Sequence, residues 1–148
     1  MGKVIAAFAG TGKSFLGEKY PNTIDLDLGS FRWVYDDCET IPYEQRKAMR
    51  VFQQNPDWPE NYINAILDAK QKYDLVLVSN TPEITHLIDH SFMPTSWTEL
   101  EQRYRARNNP ERFIEIFKSR FEAEKDLPAT KIPEGKYLEH ALIDEGWI

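Results

Sequence analysis

The sequence contains little cysteine and no long apolar run, and each absence narrows what the protein can be. Cys38 is the single cysteine among 148 residues, so an intramolecular disulfide is impossible and a reducing, cytoplasmic location is expected. The apolar stretch over residues 3–9 is far shorter than the roughly 20 residues that a transmembrane helix needs. We therefore predict neither a secretory leader nor association with a membrane.

Acidic residues outnumber basic ones, with 24 Asp and Glu against 18 Lys and Arg. The formal net charge of -6 repels a polyanion over most of the surface, so nucleic-acid binding is not expected. A small anionic ligand in a local basic pocket remains compatible with this charge. The composition of 41% hydrophobic and 28% charged residues is typical of a soluble globular protein, and the length predicts one domain over residues 1–148.

Apolar runs without alternation predict strands that are covered on both faces in a parallel sheet. We predict such strands over residues 3–9 and 75–78, together with a short strand over 23–28 that ends in two carboxylates and a last strand near 130–133. One further strand is expected between His86 and Leu100, but residues 91–94 show no clear strand pattern. The predicted sheet is therefore small.

Helices are predicted between these strands from apolar residues at helical spacing and from proline breaks. They cover residues 14–20, 41–54, 82–90, 97–107 and 113–125, together with a helix in which Tyr62, Ile63, Ile66 and Leu67 share one face. Strands that alternate with helices predict an α/β fold of three layers, α/β/α, around a mainly parallel sheet.

A glycine-rich turn follows the first predicted strand. Its residues are Gly10, Thr11, Gly12, Lys13 and Ser14, in the pattern Gly-x-Gly-Lys-Ser. Backbone amides at such a turn between strand and helix can surround phosphates. We predict that these five residues bind ATP, with Lys13 at the β- and γ-phosphates and Ser14 as a ligand of Mg²⁺. The alternative is a glycine-rich turn with an exposed lysine.

Three features together resemble the P-loop nucleoside and nucleotide kinases: the turn at residues 10–14, the pair Asp25 and Asp27, and the segment RYRAR at 103–107. The resemblance is greatest to a small, often phage-encoded group related to nucleoside monophosphate kinases. It implies a P-loop kinase-like fold with a helical lid-like segment at about residues 97–121. In such kinases an Asp-x-Asp after the second strand helps to bind the phosphoryl acceptor or magnesium. This implies catalytic roles for Asp25 and Asp27, with Asp27 as a magnesium ligand; the alternative is a solvated strand end or a helix cap.

The same resemblance implies a role for arginines of the lid-like segment, which in such kinases neutralise the transferred phosphoryl group. Arg103 and Arg107 lie four residues apart on one helical face, and Arg112 lies in the first turn of the next helix. Arg105 points elsewhere. The alternative is a solvated surface on which these arginines pair with neighbouring glutamates.

The sequence departs from the family pattern at two positions and leaves three functions open. Ala7 stands where the pattern begins with glycine, and Ser79 follows the strand at 75–78 where an aspartate is usual. No Asn-Lys-x-Asp sequence is present, which argues against a GTPase.

The leading hypothesis is phosphoryl transfer from ATP to a nucleoside monophosphate or nucleoside. The alternatives are a nucleotide-binding module without catalysis and a kinase of a non-nucleotide metabolite.

Overall fold

The computed structural model describes residues 1–35 and 52–148. Within these ranges the strands are β1 (Lys3–Ala7), β2 (Thr23–Asp25), β3 (Trp33–Tyr35), β4 (Phe52–Gln54), β5 (Leu75–Val78), β6 (His90–Pro94) and β7 (Thr130–Ile132). The helices are α1 (Lys13–Lys19), α2 (Leu28–Arg32), α3 (Glu60–Lys72), α4 (Trp97–Ala106), α5 (Glu111–Glu124) and α6 (Leu138–Asp144), with a 3-10 helix at Pro82–Leu87. In this described part of the chain, no helix is both long and apolar enough to cross a membrane.

Five strands form one sheet in the order β2-β5-β1-β6-β7, and its pairings are parallel. Strand β1 is central, with β5 on one side and β6 on the other. Strands β3 and β4 form a separate antiparallel pair. Because parallel strands all end at the same edge, the segments after β1, β2 and β5 meet there. That edge is where open α/β sheets bind their ligands.

Helices cover both faces of the five-stranded sheet. On one face Ile5 and Leu77 pack with Leu16 of α1 and with α6. On the other face Val76 packs with Tyr62 of α3. Consecutive residues of a strand are thus buried on opposite faces, which is why β1 and β5 are apolar throughout. The fold is mixed α/β with helices on both sides of a parallel sheet, in agreement with the predicted class.

A third apolar cluster holds α4 and α5 against the ends of two central strands. It contains Phe8 after β1, Met93 of β6, Tyr104 of α4 and Phe121 of α5. The ring of Phe8 meets that of Phe121 edge-on, with 6.1 Å between centroids. This packing places the arginine-rich helix α4 directly beside the glycine turn.

The strand expected between His86 and Leu100 is present at His90–Pro94, where it pairs with both β1 and β7, although residues 91–94 show no clear strand pattern. Other expectations from the sequence prove wrong. Of the helix predicted over residues 41–54, residues 41–51 lie outside the described ranges, and Phe52–Gln54 is a strand because it pairs with β3. Leu67, predicted to share one face of α3 with Tyr62 and Ile66, is 45% exposed, whereas those two residues are buried.

Candidate functional site

In the turn after β1, a lysine side chain at the end of the turn is hydrogen-bonded to carbonyls at its start. Gly10 and Gly12 have φ angles of 87° and 98°, which glycine adopts without the penalty of a Cβ atom. These angles let the chain reverse direction and enter α1 at Lys13. Lys13 Nζ then reaches back and donates to the carbonyl of Ala7 at 2.6 Å and to that of Phe8 at 3.4 Å.

The carbonyl groups of this turn are bonded to the surrounding helices. Tyr104 donates its hydroxyl to the Ala9 carbonyl at 2.7 Å, and Arg103 Nη1 donates to the Gly10 carbonyl at 2.8 Å. The amide of Leu138 donates to the Thr11 carbonyl at 2.9 Å. Three successive carbonyls are therefore directed toward α4 and α6.

The amide groups of the turn point the other way. The peptide bonds of the turn are trans, and in a trans peptide the N–H points opposite to the C=O of the same unit. The amides of Gly10, Thr11 and Gly12 are therefore turned away from α4 and α6. Among residues 1–35 and 52–148, none accepts a hydrogen bond from the backbone amides of residues 10–14. Such a row of amide donors forms a concave site for an anion.

The Thr11 side chain is hydrogen-bonded inside the turn, so only the backbone amide of this residue faces the open side. The residue is buried, and its hydroxyl donates to the Phe8 carbonyl at 2.7 Å inside the turn. This bond stabilises the turn internally. The bonds from Lys13 to the carbonyls of Ala7 and Phe8 do the same.

The Lys13 ammonium lies in a partly desolvated and mixed electrostatic environment. Burial lowers its pKa to about 8. The carboxylates of Asp25 and Asp27 raise the pKa and so oppose this effect, whereas Arg120 and Arg107 add to the lowering. An anion bound next to Lys13 would therefore stabilise its charged form.

The end of β2 brings one of the two predicted carboxylates to the turn. Ser14 donates its hydroxyl to Asp25 Oδ2 at 2.9 Å. Asp27 stands at the start of α2, makes no capping bond through its side chain, and lines the same cleft as Ser14. A hydroxyl with one or two carboxylates suits Mg²⁺, which binds few protein oxygens and completes its shell with water and phosphate. In the described part of the chain, no cluster of three or more His, Cys, Asp and Glu residues forms a metal cage.

A cleft of about 1440 Å³ runs along the turn at the carboxyl edge of the sheet. Its walls come from the glycine turn, the start of α2, the segment after β5 and helix α5. The cations that line it are Lys13, Arg32, Arg107, Arg112 and Arg120, and the carboxylates are those of Asp25, Asp27, Glu111 and Glu124. An anion in this cleft would meet positive charge from two sides, despite the acidic surface of the protein.

The predicted arginines separate into two groups. Arg107 and Arg112 line the cleft. Arg103 lies behind the turn on the Gly10 carbonyl, so it would have to leave this partner to reach a ligand. Arg105 is half-exposed and forms ion pairs with Glu111 and Glu101. It lies on a different face of the helix from Arg103, as predicted.

Arg120 is a cleft residue that the sequence reasoning missed. Its Nη2 donates to the Asn80 carbonyl after β5 at 3.2 Å, and its guanidinium lies 5.2 Å from the centroid of the Phe117 ring. Its position could have been predicted from the sequence, because Phe113, Phe117 and Arg120 follow one another at spacings of four and three residues, so that Arg120 lies on the apolar stripe of α5. A charge on such a stripe indicates a side chain that faces the molecule rather than solvent.

The sequence was compared with protein-family models and with curated proteins, and neither comparison gives a match.

Proposed function

We propose that the protein binds ATP in this cleft and transfers its terminal phosphoryl group to a small acceptor, a nucleoside monophosphate or nucleoside. The observation that carries the proposal is the turn at residues 10–14, which directs its amides to one side and has Lys13 folded across it. Several amides and one ammonium at a single concave site match the charge and the many acceptor oxygens of a polyphosphate.

The cleft is large enough to hold two substrates side by side. Its volume of about 1440 Å³ exceeds the ~300–1,000 Å³ of ordinary small-molecule sites. The polyphosphate would occupy the turn, and the acceptor would lie toward α2. The Asp25 and Asp27 carboxylates, at the end of β2 and the start of α2, stand between these two regions.

The residues of the cleft would each contribute to positioning and charge stabilisation. The turn amides and Lys13 would hold the β- and γ-phosphates in one orientation. Arg107, Arg112 and Arg120 would neutralise the charge that spreads over the oxygens of the transferred group. Ser14 and Asp25, with Asp27, would hold Mg²⁺, which supplies further charge neutralisation when bound. Reaction geometry, rather than a covalent step on the protein, would account for the rate.

Incubation with ATP, Mg²⁺ and a panel of acceptors tests the proposal, with products identified by mass. The panel contains nucleosides, nucleoside monophosphates and small hydroxyl metabolites. Transfer to a nucleotide or nucleoside supports the proposal, and transfer to a different metabolite alone refutes the acceptor. ATP binding with no transfer to any acceptor refutes catalysis and favours a binding module.

Lys13→Ala and Lys72→Ala are the matched variants for this assay. Lys13→Ala should abolish ATP binding and turnover, because it removes the cation of the turn. Lys72 pairs with Asp68 on the exposed side of α3, so Lys72→Ala should behave like the parent protein. ATP binding of parent strength in folded Lys13→Ala protein would overturn the assignment of the turn.

A further inference from the structure

The Arg103 side chain lies behind the glycine turn rather than over its open side. Its Nη1 donates to the Gly10 carbonyl at 2.8 Å, and its Nη2 donates to the Lys136 carbonyl at 3.2 Å. The guanidinium stacks on Tyr137, with 4.0 Å between Cζ and the ring centroid. Tyr137 in turn approaches Gly12, where an added Cβ would lie 3.5 Å from its Cδ1. The guanidinium thus contacts the turn directly and through a ring.

Glu99 holds the arginine in this place. One carboxylate oxygen accepts from Arg103 Nη2, one helical turn further along α4. The other accepts from the Gly135 amide at 2.8 Å. The side chains of Glu99 and Arg103 are only 21% and 15% exposed, so this pair is screened far less by solvent than a surface ion pair.

The bond from Arg103 sets the direction of one particular amide. It holds the oxygen of the peptide between Gly10 and Thr11, and the N–H of that same peptide, which belongs to Thr11, points to the opposite side. A guanidinium is suited to this task because its planar fork can donate to Gly10, Lys136 and Glu99 at once. The ammonium of a lysine is a single compact centre and cannot span the same partners.

From these contacts we infer that Arg103, held by Glu99, is a positioning residue for the phosphate-binding turn and does not touch the transferred group. Together they keep the Thr11 amide aimed at the phosphates. This inference rests on the proposed function, since it assigns the amides to a polyphosphate. It also separates Arg103 of α4 from Arg107, which directly follows α4 and lines the cleft.

Calorimetric binding of inorganic tripolyphosphate tests the inference, because this probe needs neither a nucleobase nor an acceptor. Each variant is measured at a temperature where circular dichroism shows it to be folded. Arg103→Ala should weaken binding on the order of tenfold to hundredfold, as expected for loss of a charged hydrogen bond that orders the site. Arg103→Lys should recover part of the loss, and Glu99→Gln should weaken binding less than Arg103→Ala. Arg105→Ala, on the same helix but paired with Glu111, should change binding less than about twofold.

The amide spectrum of the ligand-free protein separates positioning from simple loss of stability. In Arg103→Ala and Glu99→Gln the Thr11 amide resonance should shift, whereas in Arg105→Ala it should stay in place. Folded Arg103→Ala protein with the parent's affinity and an unmoved Thr11 resonance would overturn the inference. If Arg103→Ala does not fold, Glu99→Gln decides by the same two readouts. A parent protein that does not bind tripolyphosphate refutes the proposed function itself, whereas a binding parent with unaffected variants refutes the positioning role alone.

Discussion

Replacing Gly10 by alanine should destabilise the protein more than the same change at two other glycines of positive φ. At Gly10 φ is 87°, and an added Cβ would lie 2.9 Å from Cε1 of Tyr104. That ring is fully buried, and its hydroxyl is bonded to the Ala9 carbonyl, so it cannot move aside easily. A left-handed conformation costs alanine about 1–2 kcal/mol, and overpacking a buried site costs about 1–3 kcal/mol more. The expected loss is therefore about 2–5 kcal/mol.

Gly135 and Gly12 provide matched controls for this prediction. Gly135 has a φ of 80°, and within residues 1–35 and 52–148 no atom lies within 4 Å of an added Cβ, so Gly135→Ala should show only the conformational cost of about 1–2 kcal/mol. Gly12→Ala would meet Tyr137 at an ordinary contact distance of 3.5 Å and should resemble Gly135→Ala. The effect of alanine on the unfolded chain is common to all three variants and cancels in the comparison.

Urea unfolding followed by circular dichroism measures these differences directly. The midpoint and slope give the free energy of unfolding for each variant under identical conditions. Gly10→Ala should be less stable than Gly135→Ala by about 1–3 kcal/mol, which is the overpacking contribution alone. Equal stability of these two variants, within about 0.5 kcal/mol, would show that Tyr104 does not confine the turn and would refute the packing described here.

Further predictions concern the cleft and the support of the turn. Ser14→Ala should spare binding of ATP without metal but weaken the part of the affinity that depends on Mg²⁺, which titrations with and without the ion would measure. Arg107→Ala should lower turnover by on the order of 10³-fold with a much smaller effect on ATP binding, whereas Arg105→Ala should be nearly neutral in the same kinetic assay. An equal and small loss of turnover in both arginine variants would show that Arg107 acts only as a solvated surface charge. Tyr104→Phe should cost about 0.5–1.5 kcal/mol in urea unfolding, because the partly buried Ala9 carbonyl loses its donor, and an unchanged midpoint would contradict that role.

Strand β6 shows why part of the fold was hidden in the sequence. His90 and Ser91 are polar and Pro94 is a poor strand former, so the segment lacks the apolar run that identified Leu75–Val78. The segment is a strand because it lies between β1 and β7, and both neighbours provide backbone partners. Pairing with neighbours that are distant in sequence outweighs local preference here, as it also does for Phe52–Gln54 beside β3.

The sequence alone determined the features whose cause is local. The glycines of the turn are needed where they stand because φ is positive there, and the unbroken apolar run Leu75–Val78 with its β-branched residues favours a strand by itself. The tertiary structure decided which charges serve the cleft. Arg103 and Arg107 share a helical face in sequence, yet only the packing of α4 against the turn directs one to a backbone carbonyl and the other to the cleft. The spacing of residues along a helix determines which side chains share a face. What that face contacts depends on packing between residues far apart in the chain.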